Sequence, residues 1–330
     1  AWWTMNTYNS AEGLIFTDPS ENTTGVVTPS TLFYFSEGKT HLNGPKKCVK
    51  LNEQSLEALT IGLTESGSLI KGSRDEVLQV IKLLNEPESS RTTAHFLTNS
   101  QNCSSIINKI AALKNANILV VGCGGIGSTA TLLLAGAGVK KFTLVDHDTI
   151  ERSNLNRQLF WRLQDIGKEK TTTLKIAIKE RFENTETTCI KRQLDYEEIK
   201  ALMVSSNYTL AMITANAPIN LASQCGELAR ITGTSIMSGG YLHSHCCANF
   251  FSATDLQSDY EIAPNSHNWT RLPESIMPSF GPTNFSIAAL LSHGAIEHIT
   301  TKDKGERHSS CTQWDSSEFP VSFFNYLWKQ

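Results

Sequence analysis

Nowhere in this chain do two of the eight cysteines form a C-x-x-C pair, so the spacing used by structural zinc sites and dithiol redox motifs is missing. The cysteines stand singly apart from Cys246–Cys247, and most lie in apolar segments. That scatter reads as buried thiols in a reducing cytoplasm rather than as a disulfide framework. An excess of either charge is missing too: 29 Lys and Arg face 32 Asp and Glu, for a net charge of −3. Neither nucleic acid nor an anionic membrane surface is therefore expected as the main partner. No apolar run approaches the ~18 residues of a membrane span. The opening "AWWTMNTYNS" holds no basic segment followed by an apolar one, so no secretory signal is expected there. Internal repeats and low-complexity tracts are absent.

What remains is globular material. Hydrophobic residues make up 40 % and charged residues 18 % of 330 residues, enough for at least one large core. The length suggests two domains of ~150 residues each. Residues 1–88 read as a small module. "TLFYFS" and "GSLIKG" are short strands. "NEQSLEALTIGL" and "SRDEVLQVIKLLN" carry the three- and four-residue apolar spacing of helices. Asn52 and Ser73 are the expected N-caps, each followed by acidic residues. Strands mixed with short helices over this length suggest a winged-helix-like α+β domain, and "EPESSRTT" reads as the linker after it.

The second domain, residues 89–330, alternates strand and helix. "NILVVG", "KFTLVD", "YTLAMIT" and "TSIMSGG" are apolar strands; "STATLLLAGAG", "TTTLKIAIKERF" and "INLASQCGELARI" are helices between them. This order predicts an α/β fold with a Rossmann-like, doubly wound, mostly parallel sheet. A polar stretch from Asp255 to about Pro282 reads as a surface loop, and "TNFSIAALLSHGAIEHI" as a late helix.

Gly122, Gly124 and Gly127 form G-x-G-x-x-G between the first of these strands and its helix. Glycine allows the tight turn, the close backbone approach to phosphate oxygens and the close helix–strand packing. The helix N-terminus then offers free N–H groups to the phosphates. Asp146 ends the next strand, where an acid binds ribose hydroxyls. A nicotinamide oxidoreductase fits these features as well as a nucleoside triphosphate does. The residues that follow favour the triphosphate. Gly125 adds a glycine to the loop, and "DHDTIERSNLNRQ" and "IGKEK" bring Arg157 and Lys170. Arg157 can donate two parallel bonds and Lys170 acts as a point charge, which suits a leaving pyrophosphate.

These motifs resemble the E1-like adenylating family, which includes ubiquitin-like protein activating enzymes and bacterial relatives in cofactor and peptide-antibiotic synthesis. The likeness covers roughly residues 91 to 300. It implies that Gly122, Gly124, Gly125 and Gly127 bind ATP. Asp146 would hold the ribose and Asp148 would lie close by. Asn154, Arg157 and Gln158 match the family's N-L-x-R-Q, and Lys170 the Lys of G-x-x-K. Arg91 matches an arginine that reaches into the partner subunit's site, although the R-Y-x-R-Q around it is eroded here. A homodimer with shared sites is therefore implied. The family's aspartate for magnesium is replaced by Asn216 in "ITANAPIN". An amide oxygen is the weaker ligand, so Mg2+ is expected to arrive with ATP, helped by Asp148. Without the C-x-x-C pairs, zinc is expected to be absent, and no other protein-held metal is expected.

Two further features bear on chemistry. If Tyr241 to Cys247 is one strand, His243, His245 and Cys247 share a face; the plain reading is half-buried strand side chains, with His243 or His245 as a possible proton carrier. No cysteine has the open, cationic setting of a thioester nucleophile. A small module ahead of the adenylating domain is the order seen in family members that modify ribosomally made peptides. The resemblance thus implies ATP-dependent activation of carboxylates, glutamate side chains foremost, of a precursor peptide gripped through its leader, leading to dehydration or cyclisation. The alternatives are activation of a sulfur carrier or ubiquitin-like protein, a nicotinamide oxidoreductase, and a non-catalytic scaffold.

Overall fold

The computed structural model describes residues 10–18, 20–218, 220–255, 278–301 and 308–318. Most of the loop expected between Asp255 and Pro282 lies outside these residues. The chain divides into two compact units, Ala1–Ala112 and Leu113–Gln330.

The first unit carries strands β1 (Ile15–Thr17), β2 (Thr23–Val27), β3 (Leu32–Ser36), β4 (Lys39–Asn43), β5 (Cys48–Leu51) and β6 (Leu69–Lys71), with helices α1 (Leu56–Glu65), α2 (Arg74–Asn85) and α3 (Ser90–Leu97). The strands make two three-stranded antiparallel sheets, β1-β2-β6 and β3-β4-β5. Both sheets feed one core of Phe16, Val27, Leu42, Leu51, Leu63 and Leu69. The α2 start is set locally. Ser73 Oγ accepts from Glu76 N, and Glu76 Oε2 accepts from Ser73 N, closing a capping box. For α1 the cap is Ser55, whose hydroxyl accepts from Ala58 N at 3.1 Å, and not Asn52. Asn52 instead accepts from Lys39 Nζ at 3.5 Å. The stretch expected as a linker is partly helical. Pro87 ends α2, but Thr93, Phe96 and Leu97 are spaced to bury one side of α3, and all three are buried.

Strand β3 departs from the rule that one face of a strand is covered. All five of its residues are exposed, including Leu32 at 65 %, Tyr34 at 59 % and Phe35 at 58 %. Among the described residues it pairs with β4 alone.

Helix α4 (Cys103–Asn115) contains the boundary between the units. The second unit then runs β7 (Asn117–Val121), α5 (Gly125–Ala137), β8 (Lys141–Val145), α6 (Lys170–Lys179), β9 (Glu186–Ile190), α7 (Tyr196–Ser205), β10 (Leu210–Ile213), α8 (Leu221–Thr232), β11 (Ile236–Leu242), β12 (His245–Phe251), α9 (Gly281–Thr300) and β13 (Ser310–Asp315). The sheet order is β13-β12-β11-β10-β7-β8-β9. Strands β11, β10, β7, β8 and β9 are parallel, and β12 and β13 add antiparallel. The mostly parallel, doubly wound sheet is thus as predicted.

Ile118 to Val121 and Leu210 to Ile213 are all buried, as strands covered on both faces must be. On one face α9 packs on β11, where a Cβ at Gly239 would meet Ile287 at 3.0 Å and Leu291 at 3.3 Å. On the other, Cys225 and Leu228 of α8 join Ile236 and Phe251 in a core cluster. Helix α5 ends at Gly138, whose left-handed φ of +119° closes the helix.

Tyr241 to Cys247 is not one strand. Strand β11 ends at Leu242, His243 turns with φ +56°, and β12 begins at His245. His243 therefore sits in a hairpin turn, off the face that carries His245 and Cys247. None of the described helices is long and apolar enough to cross a membrane.

Candidate active site

Strand order reverses at β7. The chain leaves β7 toward β8 and β9 on one side, then returns to place β10 on the other. The carboxyl ends of the strands at such a switch point are the place where open α/β sheets bind ligands. Gly122 to Gly124 leave β7 at this point, and α5 begins at Gly125.

The glycines have separate physical reasons. Gly122 has φ +95°, and a Cβ there would lie 2.7 Å from Ala215 N. At Gly127 a Cβ would lie 1.9 Å from Gly122 O and 2.7 Å from Thr214 Oγ1. These two close the turn against the segment after β10, where the Thr214 hydroxyl donates to Gly122 O at 3.0 Å. At Gly125 a Cβ would meet Asn284 at 3.0 Å and Arg157 at 3.4 Å. Gly124 differs, because the nearest atom to an added Cβ is Gln158 Nε2 at 3.9 Å. The loop is thus bare backbone at its tip, in front of the α5 N-terminus, whose first amides have no partner within the helix.

Asp146 follows β8, and both its oxygens are engaged by backbone. Oδ2 accepts from Cys123 N at 2.6 Å and Oδ1 from Asp148 N at 2.8 Å. The carboxylate is held at the loop, and each oxygen keeps a lone pair for a hydroxyl. Lys170 opens α6 and is buried, with Nζ 2.6 Å from Asp148 Oδ2. Asp148 also faces His147 Nε2 at 3.2 Å. Asp146, His147 and Asp148 bring one ligand atom each within 4.8 Å of one another, and no other such group occurs among the described residues. Two carboxylates fit a hard cation such as Mg2+ better than the imidazole does.

The "SNLNRQ" segment forms a short 3-10 turn over Arg152–Asn156. Asn154 is buried, and its Oδ1 accepts from Glu151 N at 3.1 Å. Buried Gln158 accepts from Trp161 Nε1 through Oε1 at 2.6 Å, which leaves its amide N–H groups toward Gly124. Arg157 donates from Nη1 to Ser153 O at 2.9 Å and to Asn156 Oδ1 at 2.8 Å. Asn216 is exposed, two residues beyond Thr214. Arg91 belongs to the first unit, in α3.

Three contributors were not visible in the sequence. Thr214 and Asn284 reach the glycine loop from β10 and α9. Ser279 accepts from Asn156 Nδ2 through its carbonyl at 3.0 Å, and its hydroxyl lies 2.8 Å from Tyr241 Oη. None has a local motif, because each meets its partner only through contacts between elements far apart in sequence.

The cysteines near the site are poor nucleophiles. Burial and the nearby Asp146 charge push the Cys123 thiol well above its ordinary range. Burial pushes Cys225 up to about 12 and raises Cys189 as well.

A glycine loop at a switch point, an acid on one of its amides and a buried lysine define a nucleotide-binding α/β domain. The chain belongs to the ThiF family, which it matches over residues 90–326. It is 32 % identical over 132 residues to the molybdopterin-synthase adenylyltransferase of Salmonella typhimurium LT2, covering 39 % of this chain and 53 % of that protein. It is 29 % identical over 133 residues to the sulfur carrier protein ThiS adenylyltransferase of Escherichia coli K12, with the same shares of 39 % and 53 %. The chain thus spans about half the length of these curated relatives. Its fold matches E. coli MccB solved with ATP, at a TM-score of 0.63 and 17 % identity over 89 % of this chain and 97 % of that one. MccB solved with AMPCPP and MccA gives 0.63 and 18 % over 91 % and 98 %. PaaA gives 0.62 and 16 % over 88 % and 96 %.

Proposed function

We propose that this chain activates a carboxylate of a ribosomally made peptide by adenylation. The observation that carries the reading is the bare glycine loop at the switch point, with Asp146 on its Cys123 amide and Lys170 on Asp148. The loop and the α5 N-terminus take the phosphates of ATP, and Asp146 takes the ribose hydroxyls. Gln158 lies beside the loop at Gly124, and Asn154 is assigned to the nucleotide by the family's N-L-x-R-Q match. A substrate carboxylate oxygen attacks the α-phosphorus; the bond to the bridging oxygen breaks and its electrons leave with pyrophosphate. Arg157 and Lys170, with Arg91 from a second copy of the chain, offset the charge that grows on the phosphates. Asp148, paired with Lys170, is the more exposed carboxylate of the site and would hold Mg2+, which would neutralise phosphate charge, with Asn216 in the place of the family's aspartate. With the nearby thiols buried, the acyl adenylate passes to the peptide itself.

The peptide as substrate is supported by the likeness in fold to MccB and PaaA over nearly the whole chain, first unit included. The first unit offers β3, an exposed strand that among the described residues pairs with β4 alone, where a leader can add as a further strand. The named activities of the sequence relatives favour a second reading, a sulfur carrier protein as the substrate.

The test is ATP–pyrophosphate exchange with a panel of synthetic peptides bearing Glu side chains, run against a ThiS-type carrier. Exchange with a peptide and none with the carrier supports the first reading. Exchange with the carrier alone replaces it with the second. No exchange with either, alongside tight NADH binding, would return the oxidoreductase.

A further inference from the structure

Arg157 and Lys170 are held in different ways. Lys170 shares its charge with Asp148, 2.6 Å away. Arg157 donates from Nη1 to two neutral oxygens, Ser153 O at 2.9 Å and Asn156 Oδ1 at 2.8 Å, and pairs with no carboxylate among the described residues. A neutral acceptor orients a guanidinium without cancelling its charge. The bond to Ser153 is local to the 3-10 turn. The bond to Asn156 is not, because the Asn156 side chain is itself held from another part of the chain.

Asn156 is exposed, yet its amide can sit only one way round. A guanidinium only donates and a carbonyl only accepts, so Oδ1 faces Arg157 and Nδ2 faces Ser279 O, 3.0 Å away. Ser279 lies two residues before α9 and is fixed in turn. Its hydroxyl is 2.8 Å from Tyr241 Oη and accepts from Asn284 Nδ2 at 3.4 Å. Asn284, in the first turn of α9, also donates to Phe280 O at 2.7 Å. Gly281, the first residue of α9, lies against the same segment: an added Cβ would stand 3.1 Å from Asn156 O and 3.7 Å from Arg157 Cα. The network closes on the glycine loop. A Cβ at Gly125 would lie 3.0 Å from the Asn284 amide and 3.4 Å from Arg157 Cγ. The stem of Arg157 and the amide of Asn284 thus meet at the first residue of α5, whose leading amides have no partner within the helix.

We propose that Asn156 is a positioning residue for adenylation, braced from α9: the Ser279 carbonyl fixes the Asn156 amide, and that amide aims the uncancelled charge of Arg157 at the phosphates on the glycine loop. This rests on the adenylation reading and adds a residue to it, since Asn156 fills the unspecified position of N-L-x-R-Q. Asn156 acts through Arg157 and not on the reacting atoms. As the bond to pyrophosphate breaks, charge grows on the leaving oxygens, and a donor already oriented meets that charge without reorganising. An amide suits the position for two reasons. It accepts from Arg157 without neutralising it, and it donates to Ser279 O. A carboxylate would fail on both counts, and an alanine would hold nothing.

The test uses the full chain, ATP and whichever substrate, Glu-bearing peptide or carrier, supports pyrophosphate exchange in the parent. For Asn156→Ala we expect kcat of exchange to fall about tenfold while KM for ATP stays within about threefold, because the loss falls on charge that develops in the transition state. Asn156→Asp still offers Arg157 an acceptor but cancels its charge, and kcat should fall at least as far. A double-mutant cycle separates positioning from a merely structural role. In an Arg157→Ala background, Asn156→Ala should cost less than about twofold more, since no guanidinium is left to aim. An equal fall in both backgrounds overturns the proposal, because Asn156 would then act without Arg157. A parent-like kcat in either Asn156 variant, or a change confined to KM, overturns it too. No exchange in the parent with any of these substrates would instead overturn the adenylation reading, and the proposal with it.

Discussion

Lys170 and Asp148, far apart in sequence, meet twice. Lys170 Nζ lies 2.6 Å from Asp148 Oδ2, and Lys170 N donates to Asp148 O at 3.1 Å. The pair is uneven: the lysine side chain is 8 % exposed and the aspartate 48 %. A buried ammonium needs its counter-charge more than a half-exposed carboxylate does. We therefore expect Asp148→Ala to destabilise the fold by about 2–3 kcal/mol, because it leaves the ammonium unpaired. Lys170→Met keeps the stem and should cost less than about 1 kcal/mol. The double variant should be more stable than Asp148→Ala alone, as read by urea unfolding. Equal stabilities for the double variant and Asp148→Ala would show that the pair carries no coupling.

Gly124 and Gly127 separate the roles of the loop. An alanine at 127 would drive its Cβ into Gly122 O, a backbone atom that cannot step aside. We expect Gly127→Ala to cost at least about 2 kcal/mol of stability. Gly124→Ala meets nothing closer than 3.9 Å and should unfold within about 1 kcal/mol of the parent. Its ATP affinity should nevertheless fall at least tenfold, because a methyl would stand where the phosphates approach. Calorimetric titration with ATP checks the second outcome. Unchanged affinity would place the phosphates elsewhere.

Cysteine chemistry offers a third check. With its thiol near 12, Cys225 is about 10⁻⁴ thiolate at pH 8. Exposed Cys48 should react with iodoacetamide first and Cys225 last, with the reaction at Cys225 quickening as pH rises toward 11. Cys189→Ser and Cys225→Ser should each keep product formation within about tenfold, or ~1.4 kcal/mol of barrier. Arg157→Ala should lose about 100-fold. A Cys→Ser variant as inactive as Arg157→Ala would require a thioester route.

Sharing of sites between two copies is tested by mixing. Arg91→Ala and Lys170→Ala chains, each inactive alone, should regain part of the activity when combined, since one hybrid site is then whole. No recovery, with mixed dimers demonstrated by native mass spectrometry, would rule out sharing.

The edge at β3 is tested by replacing Phe35 and Tyr34 with Thr. We expect precursor peptide to bind at least tenfold more weakly, with ATP affinity unchanged. A leader bound as an added strand should also protect β3 amides from hydrogen exchange. No protection would move the leader elsewhere.

What could be read along the chain was whatever a few neighbouring residues decide. Ser73 with Glu76 closes its own cap, Gly138 ends its own helix, and the apolar runs at Ile118–Val121 and Leu210–Ile213 can lie only in a sheet covered on both faces. The glycines at 122 and 127, Asp146, Arg157 and Lys170 follow the same logic, since a strand, a tight turn and a helix N-terminus assemble within one βαβ unit. Where a side chain had two local options, the choice lay outside the sequence window. Asn52 left the cap to Ser55 because Lys39, on another strand, claimed its oxygen. Arg91 entered a helix because Thr93, Phe96 and Leu97 found a core. His243 took a left-handed turn because pairing with β12 rewarded a hairpin more than a continued strand. The approach of Thr214 and Asn284 to the glycine loop, and of Asp315 to His245, depends on strand order and register. Those are set by the summed burial and hydrogen bonding of strands far apart in sequence, and so only the tertiary structure decided them.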